Sequence, residues 1–362
     1  MAFEKIHLPV YRQIYEILAS ELNRGLYDEK GMLPSEKELC ARFGVERNTI
    51  RKSLQLLVEE DRVIRRPGLG TELVKPREEA DLNAAGDPVV LITQVDYLNT
   101  GKGESFHYKL IHSLGKRLGE SGCNMLFKPV YKPEDFSELL CGVPLRGIIF
   151  DSHNQNDYYR KMIQRGLPAL SLNQYTPLIT SIVSDNFGAA HDVARRLFQA
   201  GHRRIIYILG KPNYNSCQER LNGIRQFYAD QGLQLDEEYL FGGDWLFGSG
   251  VDAAARILGM EKEKRPTAVF AFNDDMAYGC YSALTRGGIL VPEDISIVGF
   301  DHTNRYVDVF PPISTVDVNL SVMVDYAAWY FTETLAGKAP QAPARIEIPT
   351  TFCDLGTTAA AT

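Results

Sequence analysis

The feature that most constrains this chain is a long alternation of short apolar runs with amphipathic stretches, which begins near Pro88. Such alternation predicts parallel β-sheets whose faces are covered by helices. The apolar runs form two sets, one at 89–92, 124–127, 147–150 and 169–172 and the other at 205–209, 268–272 and 295–300. Two sets of this size predict an α/β fold with two lobes and two parallel sheets. A ligand is expected between the carboxyl ends of their strands.

Length and composition are typical of a soluble protein with two or three domains. The chain has 362 residues, of which 44% are hydrophobic and 23% are charged, so it can build substantial cores. It has no apolar run of about eighteen residues, and its first residues lack a basic segment followed by an apolar one. We therefore expect a cytoplasmic protein with no membrane contact.

The cysteines and histidines predict neither a disulfide framework nor a metal site. The six cysteines are scattered without a C-x-x-C pair, and the seven histidines are dispersed along the chain. Even His107 and His112 are five residues apart, which takes them off a shared helical face. We expect reduced, mostly buried thiols, no metal and no cofactor.

The first 75 residues have a different pattern, which predicts three helices. Apolar residues at helical spacing predict the first helix over about 9–23. Ser35 and Glu38 have the spacing of a capping box, in which each side chain satisfies an unpaired backbone donor at a helix start. Gly44 supplies a tight turn before a third helix over 46–59.

Two short extended runs follow the third helix, at 63–66 and 72–74, and a glycine-containing tip at 67–70 joins them. Glycine permits the positive φ angles that a hairpin tip requires. Three helices followed by such a hairpin predict a winged helix-turn-helix domain over 1–75. We expect a charged linker without apolar periodicity over 76–87, and the two-lobed domain over 88–362.

The charge of the chain is divided unevenly between these parts. The net charge is −7, but residues 1–75 hold 13 basic and 12 acidic residues, whereas the remainder holds 26 and 34. A local basic patch matters more for nucleic-acid binding than the total. Seven basic residues fall within 25 positions: Arg42, Arg47, Arg51, Lys52, Arg62, Arg65 and Arg66.

The third helix has the chemistry of a recognition helix for double-stranded DNA. Arg47 and Arg51 are one turn apart, and an arginine fork matches the paired acceptors of guanine in the major groove. Taken singly, these arginines are explained equally well as solvated surface residues. The ordered cap, turn, helix and wing favour DNA binding. The candidate DNA-binding residues are Lys37, Arg47, Asn48, Thr49, Arg51, Arg66, Gly68 and Gly70.

Residues 8–74 resemble the GntR family of bacterial transcription regulators. The resemblance runs through the motifs at 9–11, 33–36, 43–45, 47–51 and 68–71. It implies that Arg47, Thr49 and Arg51 read DNA, with help from Lys37 and the wing. Two positions depart from the family pattern. Glu46 replaces a small hydroxyl residue before the first arginine, and Leu69 replaces a cation of the wing.

Residues 88 to about 356 resemble the effector domain of LacI-type regulators, whose fold is that of periplasmic sugar-binding proteins. The resemblance is strongest in the motifs at 183–190, 200–205, 219–223, 273–277, 291–301 and 311–316. A GntR-type head on a LacI-type body is the layout of the arabinose repressors of Gram-positive bacteria. This resemblance implies L-arabinose, or another pentose or hexose, as the effector.

Matching motif positions imply a sugar cleft built from amide, carboxylate, guanidinium and aromatic groups. Such groups suit polyols, because an arginine and a carboxylate can each bind two neighbouring hydroxyls and an aromatic ring covers an apolar sugar face. The implied cleft residues are Arg220, Asn273, Asp301, Trp245, Asn173 and Asp151, with His153 as a further candidate. Structural roles compete for three of them: Asp301 and Asn273 could cap local structure, and Trp245 could serve only in packing.

These observations predict a ligand-controlled transcription factor, most simply a homodimeric repressor of carbohydrate genes. It would bind a palindromic operator and release it when a sugar closes the lobes. Two other functions are less consistent with the sequence. A sugar-acting enzyme finds little support, since no P-loop is present and Gly68-Leu69-Gly70 precedes a strand. A transport binding protein is disfavoured by the missing export signal and by the DNA-binding head.

Overall fold

The computed structural model describes most of the chain, and it divides into two compact units, Met1–Ala84 and Ala85–Thr362. The described residues are 9–23, 26–27, 31–59, 62–66, 70–73, 88–93, 106–130, 133–142, 145–152, 155–303, 306, 308–340 and 342–361. The side chains of Arg66, Thr93 and six further residues within helices lie outside this description. The predicted linker, 76–87, also lies outside it, as do Gly68 and His153.

The first unit is a three-helix head with a two-stranded wing. Its helices are α1 (Val10–Asn23), α2 (Glu36–Phe43) and α3 (Arg47–Glu59). Helix α2 begins with the predicted capping box of Ser35 and Glu38 and ends at Gly44, whose φ of 65° is left-handed. The apolar face of each helix enters one core, whose fully buried members include Ile14, Leu18, Leu39, Ile50, Leu54 and Leu57.

The wing pairs β1 (Val63–Arg66) with β2 (Gly70–Leu73) in antiparallel register, with Val63 opposite Leu73 and Arg66 opposite Gly70. Gly70 has a φ of 114°, which a side chain would strain. The predicted order of helix, turn, helix and hairpin is therefore confirmed in this unit.

The second unit begins with a six-stranded parallel sheet, which forms lobe one. Its strands are β3 (Val89–Thr93), β4 (Met125–Pro129), β5 (Gly147–Asp151), β6 (Ala169–Leu172), β7 (Ser181–Ser184) and β13 (Arg345–Ile348), in the order β13-β7-β6-β5-β3-β4. Helices α4 (Phe106–Glu120), α5 (Pro133–Gly142), α6 (Asn156–Gln164) and α11 (Leu320–Leu335) accompany it. The central strand β5 is buried along its whole length, as expected for a sheet covered on both faces.

Lobe two is built on a four-stranded parallel sheet. Its strands are β8 (Ile205–Ile208), β9 (Leu240–Phe241), β10 (Ala268–Ala271) and β11 (Ser296–Val298), in the order β11-β10-β8-β9. Its helices are α7 (Asn186–Gln199), α8 (Asn215–Asp230), α9 (Phe247–Leu258) and α10 (Asp274–Arg286). The predicted α/β class with two parallel sheets is therefore confirmed.

The chain passes between the lobes at three places. It leaves β7 of lobe one at Asp185 and enters α7, and it returns from β12 (Thr315–Asp317) into α11. After β13 it crosses again into β14 (Thr351–Cys353), which pairs antiparallel with β12. Backbone hydrogen bonds from Gly299 and Asp301 to the β12 segment attach this ribbon to lobe two. The crossings form a hinge between the carboxyl ends of the two sheets.

Among the residues that the structure describes, no helix is both long enough and apolar enough to cross a bilayer.

Candidate DNA interface and effector cleft

Three arginine side chains of the head surround one carboxylate, that of Glu36. Glu36 accepts hydrogen bonds from Arg47, Arg51 and Arg65, with Arg51 Nε 3.2 Å from Oε1. Its own side chain is 14% exposed, whereas that of Arg47 is 68% exposed. Although partial burial acts in the opposite direction, hydrogen bonds from Arg47 and Arg51 lower the pKa of Glu36. This ionised group holds arginines of α3 and of the wing together on one surface.

The other predicted DNA-binding residues occupy the same part of the head where they are described. Lys37 and Asn48 are exposed, and Thr49 is half-buried at the start of α3. Gly70 begins the second wing strand. Gly68 and the side chain of Arg66 lie outside the described residues, so their predicted contacts stay predictions. Glu46, the position that departs from the family pattern, is exposed directly before α3.

The second unit has a cleft that collects the ends of strands from both sheets. Its empty space is about 700 Å³, counted with the solvent-open space at its mouth. Ser152 and Asn173 follow strands of lobe one, whereas Trp245, Asn273 and Asp301 follow strands of lobe two. The lining residues are Phe106, His107, Ser152, Asn173, Tyr214, Ser216, Arg220, Trp245, Leu246, Asn273, Asp275, Asp301 and Thr303.

Arg220 is the most firmly held polar residue of the cleft. It lies on α8 with only 4% of its surface exposed, and its guanidinium donates to Asn186 Oδ1 at 2.9 Å and to the carbonyl of Phe272. Its Cζ lies 3.5 Å from the ring centre of Phe300. Burial lowers the pKa of Arg220, and the carboxylate of Asp301 opposes that effect. The guanidinium is therefore fixed by packing before any ligand arrives.

Asp301 lies opposite this guanidinium, with Oδ1 3.7 Å from Arg220 Nη2. This distance is too long for a direct hydrogen bond, so both groups keep bonding capacity toward the cleft. Burial raises the pKa of Asp301 to about 8, although the charge of Arg220 opposes the rise. Asp301 has a φ of 103°, a strained value for a non-glycine residue that recurs at ligand-binding turns.

Asp274 supports the turn that carries Asp301. It is buried and accepts hydrogen bonds from the backbone amide of Thr303 and from the hydroxyl of Thr315, both at 2.6 Å. Burial raises the pKa of Asp274 to about 7. Two carboxyl groups with raised pKa values in one cleft region are typical of a functional site.

Trp245 forms one wall of the cleft and is 8% exposed. Its ring lies against Gly210, where an added Cβ would be 2.0 Å from ring carbons, and it contacts Tyr214 edge to face at 6.0 Å. Its Nε1 is one of three buried side-chain polar atoms without a hydrogen-bond partner among the described residues. A role in packing alone therefore explains the ring contacts of Trp245 but not the unpaired Nε1.

Asn273 has a structural role in addition to its place in the cleft. It is the N-cap of α10, where its Oδ1 accepts from the amide of Met276 at 3.0 Å, and its Nδ2 donates to the carbonyl of Trp245 at 2.8 Å. The predicted capping alternative is thus correct for this residue. Asn173 lines the opposite side of the cleft with a left-handed φ of 57°.

The structure places Asp151 behind the cleft rather than in its lining. Its side chain is fully buried, and Oδ2 lies 2.8 Å from Nδ1 of His107 while Oδ1 accepts from Ser152 at 3.1 Å. The imidazole takes the place in the lining that the sequence reasoning gave to the carboxylate. Although burial acts to lower it, the Asp151 carboxylate raises the pKa of His107. Asp151 therefore orients the imidazole that faces the cleft and favours its protonated form.

Several lining residues were not predicted. His107 and Phe106 open α4, Ser152 follows β5, and Asp275 and Thr303 lie just after the predicted Asn273 and Asp301. The available signal was their position at strand ends or at the starts of the following helices, which is where ligands bind in open α/β sheets. The spacing of His107 to His112 predicts no metal site, and it carries no sign of the partner of His107, the carboxylate at the end of β5.

Two family models match the chain. Residues 10–73 match the gntR family of bacterial regulatory proteins, and residues 194–358 match a periplasmic binding protein-like domain. The first match covers the head, and the second covers most of lobe two together with α11 and β13 of lobe one.

Curated relatives are transcriptional regulators rather than enzymes. The repressor PurR of Aliivibrio fischeri strain MJ11 is 33% identical over 141 residues, which are 39% of this chain and 42% of that protein. The regulator DegA of Bacillus subtilis strain 168 is 30% identical over 222 residues, which are 58% of this chain and 65% of that protein. The chain thus spans less than two thirds of these relatives.

A solved structure of the transcriptional regulator CelR in complex with cellobiose shares the fold. Its TM-score is 0.68 at 22% identity, and the match covers 90% of this chain and all of that one. This similarity shows the fold, and the two family models describe the two parts of the chain. Residues 10–73 are thus similar to the gntR family of bacterial regulatory proteins, and residues 194–358 are similar to a periplasmic binding protein-like domain.

Proposed function

We propose that this protein is a sugar-responsive transcriptional regulator, most simply a repressor that binds a palindromic operator as a homodimer. The observation that carries the proposal is the Arg220–Asp301 pair, which faces a cleft between two lobes in a chain whose head exposes Arg47 and Arg51. A cleft lined by polar side chains can bind a small polyol through hydrogen bonds. Two exposed arginines on a recognition helix can contact base edges in the major groove of a DNA duplex.

A free or phosphorylated sugar is the class of ligand that suits the cleft. The lining offers a guanidinium, carboxyl groups, amides, hydroxyls and the ring of Trp245, which together satisfy hydroxyls and cover an apolar ring face. The cellobiose complex of the structurally similar CelR supports the sugar class. L-arabinose is our first candidate, because the order of the two domain types is that of arabinose repressors.

The sugar proposal is tested by thermal unfolding of the full chain against a panel of pentoses, hexoses and their phosphates. A ligand that binds only the folded state raises the midpoint by mass action. We expect one pentose or hexose to raise it, and Arg220→Lys to abolish that rise. Arg225→Lys is the matched control, because Arg225 lies on the same helix but pairs with Glu237 at the surface. A panel without any shift would refute binding of a pentose, a hexose or one of their phosphates.

The DNA proposal is tested by selecting genomic fragments with the full chain and measuring their affinity by fluorescence anisotropy. We expect Arg47→Ala and Arg51→Ala each to weaken binding by about 1–3 kcal/mol if they contact base edges. Arg225→Ala again serves as the control. Retention of full affinity in the double variant would contradict DNA reading by α3.

The competing functions predict different results. A transport binding protein would bind sugar without any effect on a duplex, and an enzyme would convert the cleft ligand on prolonged incubation. Recovery of unchanged sugar together with a sugar-dependent operator affinity is the result we expect.

A further inference from the structure

A second cluster of side chains lies at the hinge, outside the lining of the effector cleft. His302, Asp317 and Cys353 come from the turn after β11, the end of β12 and the end of β14. One nitrogen, one oxygen and one sulfur atom of these residues all lie within 4.8 Å of one another. The pair of His302 Nδ1 and Asp317 Oδ2 is 3.3 Å apart.

Strand pairing brings these residues together although 15 and 36 positions separate them along the chain. Strands β12 and β14 run antiparallel, with Thr315 opposite Cys353 and Asp317 opposite Thr351. A backbone hydrogen bond from Asp301 to Val316 fixes the turn that carries His302 beside β12. Two paired strands and an attached turn therefore hold all three side chains on one surface.

The donor set selects the kind of cation. One thiol, one imidazole and one carboxylate suit a borderline transition metal, whereas Mg²⁺ and Ca²⁺ prefer several oxygen ligands. In a tetrahedral zinc site with bonds of about 2.0–2.3 Å, neighbouring donor atoms are about 3.3–3.8 Å apart. The distance of 3.3 Å between His302 Nδ1 and Asp317 Oδ2 already lies in this range. The Cys353 sulfur lies within 4.8 Å of both atoms, so a shift of about 1 Å brings its distances into the same range.

The cluster is open to an arriving ion. The side chains of His302 and Asp317 are 35% and 33% exposed, and Cys353 is half-buried. The first two line an opening of about 560 Å³, counted with its solvent-open space, which also reaches Asp301 and Thr303 of the effector cleft. Three protein donors and an open fourth position match the zinc sites that keep a water or an external ligand.

We propose that His302, Asp317 and Cys353 bind one Zn²⁺ ion, which ties the 301–303 turn to the two hinge strands. Asp301 precedes His302 and faces Arg220, so the ion immobilises the turn that presents a cleft carboxylate. Asp317 ends the strand that leads into α11 of lobe one, which places the ion on a crossing between the lobes. The metal site itself depends on neither sugar nor DNA binding.

The test uses the tag-free full chain, stripped with a chelator and titrated with Zn²⁺ by calorimetry and with Co²⁺ by absorbance. We expect one ion per chain and a thiolate-to-cobalt charge-transfer band. Because the loss of an outer-shell partner alone costs a metal site about 10–100-fold, Cys353→Ser and His302→Gln should each weaken zinc affinity by at least about tenfold. Cys353→Ser should also remove the band.

Matched controls distinguish this cluster from general surface binding. His191 and Asp230 form another His–Asp pair at 3.0 Å, and Cys40 is another half-buried thiol, so His191→Gln and Cys40→Ala should leave the affinity unchanged. Asp317→Asn is a further ligand variant should another variant fail to fold. The proposal is overturned when the parent chain gives no thiolate band, or when Cys353→Ser binds zinc as tightly as the parent.

Hydrogen exchange gives a readout of the turn itself. Zinc should slow the exchange of amides in residues 296–303 of the parent chain and should leave those of Cys353→Ser unchanged. Equal protection in both proteins would show that the ion binds elsewhere.

Discussion

Arg220 is held by residues that are far from it in the sequence. Its partners Asn186, Phe272 and Asp301 come from α7 and from the ends of two strands, and its aromatic neighbour Phe300 follows β11. Family resemblance could select Arg220 as a cleft residue, but only the folded chain shows why its guanidinium cannot turn away. A buried arginine with three fixed partners is an orienting group that loses little entropy on binding a ligand.

Asp301 makes the stability of the second unit depend on pH. Its pKa is about 8 in the folded chain, compared with an ordinary value of 3.8. Between about pH 4 and 8, the folded state therefore binds a proton that the unfolded state has lost. We expect the free energy of unfolding to fall as pH rises through this window, by at most about 1.4 kcal/mol per pH unit from this group.

The measurement is urea unfolding of the full chain at several pH values from 5 to about 8.5. Asp301→Asn should flatten the decrease, although Asp274 and His107 leave a residual slope of the same sign because their pKa values are also raised. Asp157→Asn, on an exposed side chain, should reproduce the slope of the parent. A parent slope that Asp301→Asn does not alter would contradict the raised pKa.

At the level of elements, local signals placed the head correctly because its caps and turns act over a few residues. Ser35 accepts from the amide of Glu38 at 3.3 Å, and Glu38 accepts in return from the amide of Ser35 at 2.8 Å. Both contacts are within one helical turn, so the sequence alone could predict them.

Removal of this cap should loosen α2 without changing the fold. Ser35→Ala leaves one amide at the helix start unsatisfied and should cost about 1 kcal/mol. In the full chain, we expect amides of residues 36–43 to exchange about fivefold faster, whereas Ser35→Thr should keep the parent rate. Equal exchange in Ser35→Ala would show that the capping box contributes nothing.

Helices α9 and α10 of lobe two depend on glycine at their contact. A Cβ at Gly250 would lie 1.9 Å from the carbonyl oxygen of Met276, and one at Gly279 would lie 2.0 Å from that of Phe247. These contacts are with backbone, which cannot move aside as a side chain can. No sequence pattern indicated this contact, because the two glycines come from different helices.

We therefore expect Gly250→Ala to separate the two helices and to destabilise the chain by about 1–3 kcal/mol or more. Gly248 lies on the same helix with open space around it, so Gly248→Ala should be neutral or stabilising by up to about 1 kcal/mol. Urea unfolding of the two variants makes the comparison. Equal stability would rule out close packing at Gly250.

On the scale of the whole molecule, the proposed regulation requires communication between the cleft and the head. A sugar can alter operator affinity only if it binds one conformation of the chain better than another. The chain crosses between the lobes at Asp185, at the end of β12 and after β13, so a closure of the lobes on a ligand would bend the chain at these places. Lobe closure is therefore the change that the sugar is expected to favour.

Linkage makes this regulation reciprocal. If the effector weakens operator binding by a given factor, typically about 5- to 150-fold, then operator DNA must weaken effector binding by the same factor. Anisotropy with and without sugar, and calorimetry with and without operator, measure the two factors independently. If every sugar that binds the cleft leaves operator affinity unchanged, the repressor proposal is wrong. That result would be compatible with separate sugar binding and DNA binding.

The main strands of both sheets could be predicted, but three strands could not. Strands β3, β5, β6, β8, β10 and β11 could be recognised from their continuous apolar runs, because parallel strands are buried on both faces. Strand β7 has serine at both ends, the edge strand β13 alternates charged and apolar residues, and β9 has two residues. Their strand character comes from neighbours in the sheet rather than from their own composition.

The sequence by itself determined the order of domain types, the α/β class and the strand ends at which polar side chains gather, because periodicity, caps and turns are local properties. Tertiary structure decided which polar groups face the cleft and which support them. It placed Asp151 beneath His107 and brought Cys353 to His302. Such contacts depend on strand pairing and burial between distant segments, which no spacing along a single chain can specify.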